Sequence, residues 1–292
     1  MARKQTRPKG AHTRIIDAHA HVKWYGYDAA ALVENMDERG IERMWLLTWE
    51  APAEEVGCED VLWPGCHNMP LEHVVEACRA YPDRFVPFYA PDPRVPGWKG
   101  RLEGAITYYG VRGCGELKVR MMMDDPRMLD LFQFCGEKGL PLIFHLDIPL
   151  PPGTFSEHFY CAGYDNLARA LQLCPKTTFI GHAPGFWREI SGDATTRQEM
   201  YVDGRVTPGG RLWEFMDTYP NLWCDLSANS ALGALSRDPA KGKEFLLRYQ
   251  DRCMFGRDYF DDRLHDFIKS CRLPAGAMRK IMSGNALRLV PI

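Results

Sequence analysis

Two periods of apolar and polar residues alternate along the chain. Short apolar runs of strand type recur at RIIDAHAH (14–21), IERMWLLT (41–48), RFVPFYA (84–90), VRGCGELKV (111–119), LPLIFHLD (140–147), TTFIGHA (177–183), NLWCDLS (221–227) and RCMFGRD (252–258). Between them lie amphipathic helical segments such as YDAAALVENMDERG, LEHVVEACRAYPDR, PRMLDLFQFCGEKG, NLARALQLCP, LWEFMDTYP, EFLLRYQDR and DDRLHDFIKSC. Gly40 and Gly139 stand where a helix ends before the next strand, and Pro82, Pro175 and Pro220 stop helices ahead of strands three, six and seven. Strict β–α alternation predicts parallel strands. Eight units in about 270 residues is the size of an α/β protein built as a closed (β/α)8 TIM-like barrel. A doubly wound open sheet is the competing layout, but no G-x-G-x-x-G follows the first strand.

The connections after strands two (WEAPAEEVGCEDVLWPGCHNMP), five (IPLPPGTFSEHFY) and six (PGFWREISGDATTRQEMYVDGRVTPGG) are much longer than those after helices. In a barrel all three lie on the C-terminal face, where they are expected to roof a pocket. No internal repeat or interdomain linker interrupts the pattern. Residues 14–292 therefore predict one barrel domain, and the basic segment at 1–13 predicts a disordered tail.

Charge and composition narrow the function. The formal net charge of −2, spread along the 292 residues, gives no reason to expect nucleic acid as a partner. No apolar run approaches the ~20 residues that span a bilayer, and the N-terminal segment lacks the apolar core of a secretory signal. The ten cysteines are scattered without a C-x-x-C pair, so they read as small hydrophobes in a reducing cytoplasm.

The remaining signal is the set of polar residues that interrupt the ends of apolar strands. In a strand, His19 and His21 face the same way a few ångströms apart, which is a chelating geometry. Glu116 lies late in strand four, His145 ends strand five, His182 ends strand six and Asp258 ends strand eight. Each alone has a plain structural reading: a satisfied strand-end histidine, a helix cap at Asp258, an ion pair of Glu116 with Lys118 or Arg120. Their shared placement points instead to one rim and one divalent cation site. Imidazoles with carboxylates suit Zn2+, Mn2+, Co2+ or Fe2+, and the absence of clustered thiolates argues against structural zinc.

DAHAH at strand one, FHLD at strand five, GHAPG at strand six, FGRDY at strand eight and the closing SGNALRLV together resemble the metal-dependent amidohydrolase superfamily. The resemblance is strongest to its amidohydrolase-related (amidohydrolase 2) group, which contains lactonases and aromatic-acid decarboxylases. It runs from about Ile15 to Leu289 and implies a TIM-like barrel. It also implies metal ligation by His19, His21, His145 and His182 and a catalytic role for Asp258, itself a candidate ligand. Glu116 in GELKV resembles the glutamate of the TatD-like hydrolases that ligates a second metal, so one ion or two is left open. Lys118, two residues on, is then a substrate-facing charge.

Two activities follow from the resemblance. In a hydrolase, with Zn2+ as the expected ion, water attacks a lactone, amide or ester while Asp258 moves the proton and His182 ligates or stabilises the oxyanion. In a decarboxylase the same residues release carbon dioxide from an aromatic or unsaturated acid. A catalytically inactive binding protein is the third reading, but no ligand of the motif is missing. The substrate is expected to be small and acidic or cyclic, with Trp24, Lys118, His158, Trp187 and Arg188 as candidate contacts. Homo-oligomerisation is left open.

Overall fold

The computed structural model describes residues 14–50, 68–148, 160–197, 199 and 201–292. Among these residues it contains eight strands: β1 (Ile15–Ala20), β2 (Ile41–Leu46), β3 (Phe85–Pro87), β4 (Cys114–Leu117), β5 (Leu142–His145), β6 (Phe179–His182), β7 (Leu222–Asp225) and β8 (Cys253–Met254). Each falls inside a run expected from the sequence. Every pairing is parallel, in the orders β1-β2-β3 and β4-β5-β6-β7-β8. Two isolated parallel bridges join these sheets at both seams, Phe88 with Gly113 and Ala20 with Asp258. The strands thus follow one another around a ring, as a (β/α)8 barrel requires.

The helices end where the sequence predicts. Gly40 and Gly139 adopt left-handed backbone at φ 67° and 65°, after helices Ala29–Arg39 and Pro126–Lys138. Helices Leu71–Ala80, Tyr164–Leu173 and Arg211–Thr218 each stop one residue short of the residue that precedes Pro82, Pro175 and Pro220. Helix Trp98–Tyr109, between β3 and β4, completes a unit whose periodicity is weaker, since it buries Trp98 at its start but exposes Tyr108 and Tyr109 at its end. The basic segment 1–13 and most of the loops after β2 and β5 lie outside the described residues.

Two apolar layers result. Strand residues facing outward pack against the helices in the main core. A second cluster takes residues from seven strands, among them Ile16, Ala18, Trp45, Val86, Ile143, Ile180, Trp223 and Met254, and fills the barrel interior. Ala286 and Val290 of the C-terminal segment close it. Burying a side chain such as Ile143 or Ile180 contributes about 1.5–3 kcal/mol. Side chains two residues further along a strand share its face, so His145, His182 and Asp225 stand above Ile143, Ile180 and Trp223. The interior packing therefore aims these three groups at the C-terminal mouth.

Candidate metal centre

The strand-end residues converge. His19 Nε2 and His21 Nε2 are 3.2 Å apart. His19 Nε2 lies 3.7 Å from Glu116 Oε2 and 3.5 Å from Asp258 Oδ1, and His21 Nε2 lies 3.3 and 3.5 Å from the same two oxygens. Ligands held tetrahedrally at about 2.1 Å from a divalent ion lie about 3.4 Å from one another, so the two histidines are spaced to hold one together with Asp258 and are close to the same spacing from Glu116.

Hydrogen bonding behind the rings explains why those atoms face inward. His19 Nδ1 lies 2.5 Å from Asp225 Oδ2, and His21 Nδ1 lies 3.0 Å from the Leu47 carbonyl. An ionised carboxylate and a carbonyl only accept, so each neutral ring carries its proton on Nδ1. With both rings neutral the two Nε2 lone pairs meet at 3.2 Å, an arrangement that a cation, or a proton on His19, relieves. Asp258 Oδ1 is likewise buried without a hydrogen-bond donor. Its backbone N–H donates to the His19 carbonyl at 2.8 Å, and its φ of 69° is a left-handed conformation that Asp tolerates better than most residues.

Glu116 reaches a second donor set with its other oxygen. Oε1 is 2.6 Å from His145 Nδ1 and 3.8 Å from His182 Nε2. His145 and His182 face each other across the β5–β6 register. His182 Nδ1 is held by the Ser227 hydroxyl at 3.0 Å and lies 3.3 Å from Asp225 Oδ2. His145 Nε2 lies 3.3 Å from Asp147 Oδ1. Three groupings among the described residues are of a size to hold an ion: His19–His182–Asp225, His19–His21–Asp258 and Glu116–His145–His182, with Glu116 addressing the last two.

The electrostatics are those of a cation receptor. Burial opposes charge on His19, but the Asp225 and Asp258 carboxylates prevail and hold its pKa well above the usual imidazole range. Burial and Lys118 likewise oppose charge on His145, whose pKa Asp147 and Glu116 push up to about 9. For Glu116, burial is overcome by His145 and by the adjacent His19 and His21, and its carboxyl is held well below the usual range. Asp225 is lowered against burial by His19 and His182. Carboxylates that hold protons this firmly on the neighbouring imidazoles carry charge that a divalent ion would neutralise.

Other expected contacts divide. Trp24 is brought to the centre, its ring 5.1 Å from that of His21 and edge-on. Lys118 touches no donor; its Nζ stands 3.9 Å over Trp49 and 4.9 Å over Tyr160. Trp187 and Arg188 are not in the site. Trp187 is fully buried and its indole N–H donates to the Asp225 carbonyl at 2.9 Å, because an indole placed in a core needs an acceptor. Arg188 is buried as well, its guanidinium bonded to the carbonyls of Ala194, Arg197 and Glu199, so it staples its own loop. His158 lies outside the described residues. Reading for ligands missed Asp225, Asp147 and Ser227, although both aspartates also sit at the ends of apolar strand runs. A cleft of about 530 Å³ opens over the centre, lined by His145, His182 and Asp258 and by Tyr27, Tyr201 and Tyr259.

The Amidohydrolase family model, Amidohydro_2, matches residues 16–292. The chain belongs to the amidohydrolase family. As an amidohydrolase-family protein it is a metal-dependent enzyme. No curated protein sequence matches it. Among solved structures it is similar to an amidohydrolase from Burkholderia multivorans with bound zinc, at 12% identity and a TM-score of 0.63, over 94% of this chain and 98% of that one. A protein from Pseudomonas putida described as a 2-pyrone-4,6-dicarboxylic acid hydrolase matches at 16% identity and TM-score 0.61, over 95% and 97%. A dihydroxybenzoic acid decarboxylase from Polaromonas with bound manganese and the inhibitor 2-nitroresorcinol matches at 15% identity and TM-score 0.58, over 95% and 97%. At these identities the amidohydrolase shares their fold.

Proposed function

We propose that this protein is a metal-dependent hydrolase that opens a lactone, amide or ester bond of a small acidic or cyclic substrate, with two divalent cations sharing Glu116. The observation that carries the reading is that carboxylate, whose two oxygens address separate donor sets. His19, His21, Asp258 and Glu116 Oε2 would hold one ion, and Glu116 Oε1, His145 and His182 the other. Zn2+ is the proposed ion; Mn2+, Co2+ and Fe2+ suit the same donors, and the related structures carry zinc or manganese. When bound, such ions polarise a carbonyl and bring the pKa of coordinated water near neutrality.

The chain's own groups do the rest. Asp258, its Oδ1 lacking a donor, takes the proton from the attacking water and returns it to the leaving group. Asp225 fixes the His19 ring and, with Ser227, the His182 ring, so neither turns while charge develops. Tyr27, Tyr201 and Tyr259 offer aromatic faces to a ring-bearing substrate. No helix among the described residues is long and apolar enough to cross a membrane. The eight described cysteines are unpaired, which supports a reducing cytoplasm as the working compartment.

The test is a count of ions in zinc- or manganese-loaded protein combined with a screen of lactones, aryl esters, amides and aryl carboxylates. Two ions per chain and hydrolysis of a lactone, ester or amide are expected, with Asp258→Asn slowing turnover about 10²–10⁴-fold. Carbon dioxide released from an aryl carboxylate, with solvent deuterium appearing at carbon, would replace this reading with decarboxylation.

A further inference from the structure

Lys118 and Arg120 leave β4 beside the centre and have no carboxylate partner among the described residues. Lys118 Nζ contacts the faces of Trp49 and Tyr160, and Arg120 Cζ lies 5.6 Å over the same Tyr160 ring. No ion pair of either is found among the described residues. Arg120 Nε and Nη2 are also shielded from water without an acceptor. The Glu116 and Asp147 carboxylates of the adjoining centre are engaged with His145. Tyr160 joins the two regions: its ring centroid is 6.0 Å from that of His145, edge-on. Lys118 is close enough to His145 to oppose charge on its ring.

Counting charge across the mouth shows what is lacking. Among the described residues Glu116, Asp147, Asp225 and Asp258 contribute four negative charges there, and two divalent ions would balance them. Lys118 and Arg120 then remain as two uncompensated positive charges. Shielded guanidinium donors without acceptors are costly, and an anionic oxygen supplies what they lack. A carboxylate matches the guanidinium fork, and an aromatic floor suits a ring that bears one.

We propose that Lys118 and Arg120 form the seat for a carboxylate of the substrate, set apart from the bond that is cleaved, so the enzyme selects cyclic or aromatic acids over their neutral analogues. The charge count rests on the two-ion hydrolase reading; the seat itself does not depend on turnover. Metal-loaded protein is titrated calorimetrically with isophthalate and with its monoamide, which differ by one carboxylate. Wild type is expected to prefer isophthalate by on the order of ten- to a hundredfold. Lys118→Gln with Arg120→Gln removes that preference while metal content stays unchanged, and Lys118→Arg with Arg120→Lys keeps it. A wild type without preference, or a Gln double variant that retains it, overturns the proposal. The two readings fail separately. One ion per chain or carbon dioxide release with the preference intact removes only the two-ion hydrolysis, whereas two ions and hydrolysis with no preference remove only the seat.

Discussion

Asp225→Asn tests whether the carboxylate behind the histidines sets the metal centre. Its Oδ2 lies 2.5 Å from His19 Nδ1, 3.0 Å from Ser227 Oγ and 3.3 Å from His182 Nδ1, all fully buried. An asparagine of the same shape has one acceptor where the carboxylate has two, and its amide N–H cannot face a ring N–H. At least one histidine must then move its proton to Nε2, which removes a lone pair from the ion, or turn away. A buried, charge-assisted hydrogen bond contributes about 1.5–3 kcal/mol, and losing such an orienting partner typically lowers metal affinity 10–100-fold, or about 1.4–2.8 kcal/mol. The two figures agree, so a 10–100-fold weaker dissociation constant is expected, read by competition against a chromogenic chelator. Ser227→Ala, which leaves Asp225 in place, is expected to change it less. An Asp225→Asn protein that binds Zn2+ within about twofold of wild type would refute the idea that Asp225 fixes the tautomer.

Three further outcomes follow from the same geometry. Arg257→Ala strands the Asp17 carboxylate, which now receives the Arg257 backbone N–H at 3.0 Å and Nε at 2.7 Å inside the core, and should cost about 3–5 kcal/mol in urea unfolding. Gly181→Ala places a Cβ 2.2–2.5 Å from the buried Phe186 ring, so β6 or that ring must shift, at a cost of about 1–3 kcal/mol seen as a lower melting temperature. Metal affinity should fall as pH falls, because protons compete for the imidazoles. The raised pKa values of His19 and His145, the latter about 9, extend that competition above neutrality, so affinity in a pH series should still be rising between pH 7 and 9.

Most of the fold was legible because its signals are local. Period-two runs, glycines at helix ends and prolines ahead of strands act within a few residues, and parallel alternation left few topologies open. The donor set was legible for a related reason: a polar residue ending an apolar strand run is conspicuous, and the barrel places all such ends on one rim. Trp187 and Arg188 were misplaced because long loops carry no periodicity. Nothing in PGFWREI says that helix Pro184–Trp187 turns its aromatics inward or that Arg188 spends its guanidinium on carbonyls 9 and 11 residues on. Asp225 was passed over because its role depends on a partner 206 residues away, a separation that no window along the chain can show.

The barrel's two sheets meet through single bridges, and one of these is Ala20 with Asp258, at the metal centre itself. His19 and His21 belong to one sheet, whereas Glu116, His145, His182 and Asp258 belong to the other or to its last connection. An ion held by His19, His21, Glu116 and Asp258 would therefore bind both sheets across a seam that backbone pairing leaves thin. Beneath it, the buried Arg257–Asp17 pair and the Arg257–Asn35 hydrogen bond span the same seam without an ion. These contacts fix the spacing of β1 and β8, so that His19 and His21 lie 3.2 Å apart and each within 3.3–3.7 Å of Glu116 and Asp258. Preorganisation of this kind requires closure to come first and ligation second, so Arg257→Ala should weaken metal binding even though Arg257 touches none of the donor atoms.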